Sequence, residues 1–166
     1  MINNAGTQTE VDALAPAEWP ILSREIEVNL AAPIHLVHLL LPSLVARASV
    51  SEPSVILNVT SGLALAPKAA SAPYCATKAG LRSYTKALRW QIRDQNIRVV
   101  EALPPLVRTP MTAGRHDGAI SASECAAEIV AGLRAQKYEI YVGKAKLLRR
   151  VMRIAPAIGD RRMRGA

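Results

Sequence analysis

Short apolar stretches separated by longer mixed ones organise this chain. Residues 55–59 (Val-Ile-Leu-Asn-Val) and 97–103 (Ile-Arg-Val-Val-Glu-Ala-Leu) are rich in β-branched side chains and read as strands, the first of them fully buried. Residues 138–142 alternate as a final strand, and residues 1–6 read as the end of a strand turning into a loop. Between these lie helical patterns. Residues 17–47 are mostly helical, with an interruption near Asn29-Leu30 and a kink at Pro33, where the backbone loses a donor. Residues 74–93 form an amphipathic helix that turns Ala79, Tyr84, Ala87, Leu88 and Ile92 towards a core; residues 63–73 before it are a loop of small residues, with Pro73 just ahead of the helix. Ser121-Ala122-Ser123-Glu124 is a capping box that opens a helix running to about residue 136. Strands alternating with helices predict a single α/β domain with a parallel sheet over residues 1–143.

Composition changes this picture little. Half of the 166 residues are hydrophobic, enough for one core, and without phenylalanine that core is aliphatic. Cys75 and Cys125 stand far apart, with no metal-like spacing and no signal peptide before them, so the expected compartment is reducing and cytoplasmic; Cys75 reads as a small buried hydrophobe. His35 and His38 have no third ligand at sensible spacing and read as surface or packing residues, so no metal is expected. Pro33, His35, His38 and Pro42 break up the most hydrophobic region, so no uninterrupted apolar run reaches membrane-spanning length and the protein reads as soluble.

The net charge of +8 suggests an anionic partner until it is mapped. From Lys144 onwards eight basic residues stand against Asp160 alone, a net +7, which leaves +1 for the rest. The basicity belongs to a tail, residues 144–166, and nucleic acid is not an expected partner. Leu147, Leu148, Val151, Met152 and Ile154 lie among its arginines as a basic amphipathic helix up to Pro156, able to rest on an anionic membrane surface, on a partner or on its own domain.

The chemistry centres on Tyr74 and Lys78. Four residues apart on a helix, their side chains leave one face with Cβ atoms roughly 5–6 Å apart. An ammonium favours the ionised form of a neighbouring phenol, which brings it nearer the range useful for proton transfer. The same spacing also occurs on solvated helix faces. Ser61 stands at the carboxyl end of the strand ending at Val59, the side on which open α/β sheets bind ligands.

Ser61, Tyr74 and Lys78 resemble the catalytic residues of the short-chain dehydrogenase/reductase family. Asn3-Asn4-Ala5-Gly6 is similar to that family's NNAG motif, and Asn29 in Glu27-Val28-Asn29-Leu30 matches its fourth catalytic residue. Taken alone, the first motif is an ordinary turn and Asn29 a solvated helix residue. The resemblance runs from Asn3 to about Gly143. It implies a Rossmann-like, doubly wound sheet, a nicotinamide cofactor (NAD or NADP) and hydride transfer between a carbonyl and an alcohol. It further implies cofactor contacts from Asn4, Ala5 and Gly6, from Tyr74 and Lys78, and from Pro104, Val107 and Thr109. Pro105 stands where the family commonly has glycine, which alters that last loop, and residues 111–120 are short for a substrate lid. Helices matching residues 17–47 and 74–93 form a four-helix dimer interface in the family, so a homo-oligomer is implied.

The family's fold also begins with a strand, a TGxxxGxG turn that receives the pyrophosphate, a helix and two further strands. The nine glycines here form no such pattern. The expectation is therefore a fold truncated at its N-terminus, with a bare apolar sheet edge and weak cofactor binding. A non-catalytic interaction or oligomerisation module is the alternative.

Overall fold

The computed structural model describes residues 1–16, 18–114 and 117–164. Four strands, β1 (Ile2–Asn3), β2 (Ser54–Val59), β3 (Ile97–Leu103) and β4 (Glu139–Tyr141), form one parallel sheet in the order β1-β2-β3-β4. Each connection carries helix: α1 (Trp19–Ile26) and α2 (Ala32–Arg47), then α3 (Ala72–Gln91), then α4 (Ala122–Arg134), with α5 (Ala145–Ile154) and α6 (Pro156–Arg164) after the last strand. This is the α/β architecture that the alternating pattern predicts, with β3 as predicted and β4 confined to Glu139–Tyr141. The first helix begins at Trp19 with Glu18 as its N-cap, and residue 17, where the pattern placed its start, lies outside the described residues.

The two faces of the sheet pack differently. On one, Ile56, Ile97 and Val99 meet Val37 of α2 and Leu88 of α3; on the other, Leu57, Val100, Ala102 and Ile140 meet Cys125, Ile129 and Leu133 of α4. The second face is left partly open. A groove lined by Met1, Ile2, Val55, Leu57, Arg98, Leu133 and Arg134 exposes Ile2 at the β1 edge, the apolar edge that the sequence leads one to expect. Val55 is consequently half-buried, so β2 is not buried throughout as its composition suggested.

Two helices depart from their sequence patterns. The prolines at 33 and 42 do not break the helix from Trp19 to Arg47: a π-helical segment, Glu27–Ala31, is inserted where an interruption was expected, and Pro33 follows in the first turn of α2. The 29-residue result is long and apolar enough to cross a membrane by length and composition, which corrects the expectation that proline and histidine prevent it. In the fold, however, Glu25, Asn29, Pro33 and Val37 are buried against the domain at four-residue steps.

In α3 the helix starts at Ala72, so Pro73 lies inside its first turn, where a missing N–H is harmless. Its buried residues are Cys75, Thr77, Lys78, Leu81, Thr85 and Leu88, whereas Ala79 and Ala87 are exposed. Polar side chains occupy half of that inner face. Thr85 is there because the Asn58 amide donates to its hydroxyl at 2.8 Å, while Asn3 donates to Asn58 at 2.7 Å; this buried chain of hydrogen bonds ties β1, β2 and α3 together. The capping box at Ser121 and Glu124 forms as read, in both directions.

Candidate active site

The site lies at the carboxyl ends of β1, β2 and β3. Lys78, almost fully buried on α3, donates from Nζ to the Val59 carbonyl at 3.1 Å and so is tied to the strand end that presents Ser61 two residues later. Its Nζ lies 5.7 Å from the centroid of the Tyr74 ring, so the two side chains share a face as their spacing requires. Burial lowers the Lys78 pKa from 10.5 to about 8, against a smaller opposing effect of Glu25.

Ser61 is extended and caps the 3₁₀ turn Gly62–Ala64, its Oγ accepting the Leu63 N–H at 3.1 Å. Because that bond uses the oxygen as acceptor, the hydroxyl proton remains available to donate elsewhere. Pro104, at the exit of β3, holds the same turn through its carbonyl, which accepts the Gly62 N–H at 2.9 Å.

Asn29 owes its position to the π segment, an irregularity frequent at functional sites. That segment packs on α3 at Gly80, where a Cβ would stand 3.2 Å from Leu30 Cδ2, so glycine permits the close approach. Fully buried, Asn29 holds residue 7 at both ends of its amide, accepting from the Thr7 N–H and donating to the Thr7 carbonyl, each at 2.8 Å; it also donates to Thr77 Oγ1 at 3.3 Å. This clamp draws Gly6 into the site. A Cβ on Gly6 would lie 3.1 Å from Asn29 Oδ1, 3.4 Å from Lys78 Nζ and 4.0 Å from Met111 Cε, so one small volume brings together the first loop, the π segment, α3 and the loop after β3.

The remaining positions are placed less centrally. Asn4 and Ala5 are exposed beside Gly6. Val107 is half-buried, paired with Ile120, and its carbonyl accepts from Thr112 Oγ1 at 2.7 Å. Thr109 caps the 3₁₀ turn Pro110–Thr112 and is engaged with Thr112, its N–H donating to that hydroxyl at 3.0 Å, so local structure occupies it. That turn is what carries Met111 to Gly6.

Three participants escape sequence reasoning. Met111 and Thr77 have no motif of their own. Glu25, one turn before Asn29, is buried with its Oε2 accepting the Thr9 N–H at 2.6 Å, and burial raises its carboxyl above the usual range. Its only signal in the sequence is a four-residue step from Asn29. Among the described residues no group of His, Cys, Asp and Glu could hold a metal.

A family model, short chain dehydrogenase, matches residues 1–119. The chain belongs to the short chain dehydrogenase family. It is 38% identical over 147 residues to DltE, an uncharacterized oxidoreductase of Bacillus subtilis (strain 168), covering 84% of this chain and 57% of that one. It is 32% identical over 115 residues to a benzil reductase ((S)-benzoin forming) of the same organism, covering 68% of this chain and 46% of the relative. The chain thus spans about half the length of the curated relatives it matches. A short chain dehydrogenase from Burkholderia cenocepacia J2315, solved in complex with NADP, shares the fold at TM-score 0.87 and 24% identity, over 98% of this chain and 69% of that one. A second, from Burkholderia phymatum in complex with NAD, shares it at TM-score 0.79 and 16% identity, over 99% of this chain and 67% of that one. These likenesses extend over nearly the whole chain, and within it Leu148 and Ala145 of α5 approach the turn after Ser61 at Gly62.

Proposed function

We propose that this chain carries the acid–base half of an NAD(P)-dependent oxidoreductase that moves a hydride between cofactor and a carbonyl or alcohol. The observation that carries this reading is the convergence of Gly6, Asn29 and Lys78 on one point, with Tyr74 on the same side of Lys78. Tyr74 exchanges a proton with the substrate oxygen, and Ser61 donates its free hydroxyl proton to the same oxygen. Lys78, with one N–H on Val59, has two left for ribose hydroxyls and places its charge beside the phenol. Asn29 supports a water relay from Lys78 to solvent. The nicotinamide cofactor, when bound, supplies the hydride. Tyr74 and Lys78 would hold its ribose, with Asn4, Ala5, Gly6, Pro104, Val107 and Thr109 around the remainder; the chemistry of these donors fits NAD and NADP alike.

The sequence contains no glycine-rich turn to receive a pyrophosphate. Calorimetry of the 166-residue chain with NADH and NADPH is therefore expected to show no saturable binding in the micromolar range. Joining the chain to such a turn should restore both binding and turnover. A non-catalytic module is the second reading, favoured by 32% identity over 122 residues to a human relative named inactive hydroxysteroid dehydrogenase-like protein 1. Binding without turnover in the joined protein would favour that reading, and micromolar binding by the chain alone would contradict the need for the turn.

Two surfaces support partners beyond a small-molecule substrate. Leu36, Leu39 and Leu40 of α2 and Trp90 of α3 are exposed, which fits pairing of these helices with a second copy. On α5 and α6, Leu147, Ile154 and Ile158 are exposed beside Arg149, Arg150 and Arg153, which fits contact with an anionic lipid surface. Both free cysteines are buried and unpaired with each other, in keeping with a reducing, cytoplasmic setting. Sedimentation tests the surfaces together: a dimer mass without vesicles, and co-sedimentation with phosphatidylserine vesicles that is lost on truncation after Gly143. A monomer removes the first, and equal partitioning of both chains removes the second.

A further inference from the structure

β4 is the last strand of the sheet, and its outer edge is open. The Tyr138 carbonyl accepts the Glu101 N–H at 2.9 Å and the Val142 N–H donates to the Leu103 carbonyl at 3.1 Å, so alternate residues from 138 to 142 turn their backbone groups to β3. Glu139 and Tyr141 turn theirs outward, where among the described residues no further strand lies. A groove of about 1140 Å³ follows this edge. Ala131, Gly132 and Ala135 of α4 line it from one face of the sheet and Arg89 of α3 from the other, so it wraps round the strand. The small side chains on α4 leave it wide, and its volume exceeds that of most small-molecule sites.

Its charge is one-sided. Lys146, Arg149, Arg150 and Arg153 fall on one face of α5, at i, i+3, i+4 and i+7, and line the groove together with Arg89 and Lys137. These six cations meet two carboxylates, Glu128 and Glu139. Both are already engaged: Glu128 pairs with Lys146 at 2.6 Å, and Glu139 with Arg149 at 3.9 Å and with Arg82 at 3.6 Å. Among the described residues no carboxylate pairs with Arg89, Lys137, Arg150 or Arg153. Aromatic rings hold two of the cations in place, Arg89 at 5.2 Å from the Tyr138 centroid and Arg149 at 4.4 Å from that of Tyr141.

We propose that this groove binds an extended acidic segment of a partner protein, which adds to the open edge of β4 through its backbone and sets carboxylates against Lys137, Arg150 and Arg153. Charge and edge together select the occupant. A second copy pairing edge to edge would lay the same six cations against themselves. A lipid surface or a nucleic acid supplies anions but no peptide groups to match the strand, and Leu147, Ile154 and Ile158, the apolar part of the lipid contact proposed above, do not line the groove. The groove lies at the sheet edge opposite β1, so its occupancy does not depend on the cofactor site.

Fluorescence anisotropy of the 166-residue chain with a labelled peptide of alternating glutamate and valine tests this. Saturable binding is expected, weakened about tenfold or more in the double variant Arg150→Glu, Arg153→Glu, both of whose side chains are exposed. Reversing two exposed cations away from the groove, Arg24→Glu and Arg47→Glu, should change affinity by less than about twofold, since distant surface charges are screened. A peptide with glutamine for glutamate, and one methylated at every backbone nitrogen, should each bind far more weakly, the first for want of charge and the second for want of strand pairing. These peptide arms need no variant, so a double variant that fails to fold leaves the test standing. No saturable binding of the acidic peptide, equal binding of the glutamine or methylated peptide, or equal weakening by the two double variants overturns the proposal. So does tighter capture of phosphatidylserine vesicles or oligouridylate, lost on the Arg150 and Arg153 reversal, which assigns the groove to that polyanion.

Discussion

Replacing Tyr74 by phenylalanine in a complete protein, one in which these residues are joined to a glycine-rich cofactor turn, is expected to lower turnover by about 10²–10⁴-fold while leaving cofactor affinity close to the parent value. Tyr74 is half-buried in the first turns of α3, and phenylalanine retains the ring while removing only the transferable proton. Lys78→Met should behave differently. It deletes the charge 5.7 Å from the phenol ring and the donors left for the ribose, so affinity and turnover fall together. Steady-state rates and cofactor affinities of both variants, on any carbonyl the parent reduces, separate the roles. A Tyr74→Phe enzyme running near the parent rate would show Tyr74 to be a packing residue.

Arg82→Met is expected to cost about 3 kcal/mol of folding stability, near the lower end of what breaking a buried ion pair costs, because the guanidinium is partly exposed. Its partner is the reason. Glu101 sits in the middle of β3, 2% exposed, accepting from Thr60 Oγ1 at 2.7 Å and paired with Arg82, which also reaches Glu139 at 3.6 Å and the Tyr141 hydroxyl at 3.2 Å. Burial raises the Glu101 carboxyl above its usual range, and the Arg82 charge works against that. Without Arg82 the carboxylate would be stranded beneath α3. Urea unfolding at neutral pH measures the loss, and adding Glu101→Gln to Arg82→Met should recover part of it, since the pair then no longer leaves a lone buried charge. A loss below about 1 kcal/mol would place Arg82 among ordinary surface pairs.

The legible parts of this protein are those where side-chain chemistry repeats at the period of the backbone. β3 and the capping box at Ser121 could be read from the sequence because a run of β-branched side chains and cap chemistry are local signals. The inner face of α3 could not, since Lys78, Thr77 and Thr85 fill it with polar atoms whose partners, Val59, Asn29 and Asn58, come from other elements. Burial of Glu25 and Glu101 is hidden for the same reason: a charged letter reads as surface unless its counter-charge is already in view. Proline misled in the other direction, because the π segment before Pro33 absorbs the irregularity that would otherwise end a helix. At the site, the motifs named Gly6, Asn29, Ser61, Tyr74 and Lys78. The loop at Thr109 turned inward on Thr112, a local hydrogen-bonding choice that no motif announces.

Carbonyl-dependent consumption of NADH or NADPH by the complete protein tests most directly the claim that these residues form a reductase site. With cofactor binding established beforehand by calorimetry, a panel of ketones and aldehydes should include some that accelerate the loss of reduced-nicotinamide absorbance, and Ser61→Ala should suppress that acceleration without abolishing binding. A protein that binds the cofactor yet shows no carbonyl-dependent loss across the panel, or one whose loss survives Ser61→Ala unchanged, would contradict the account.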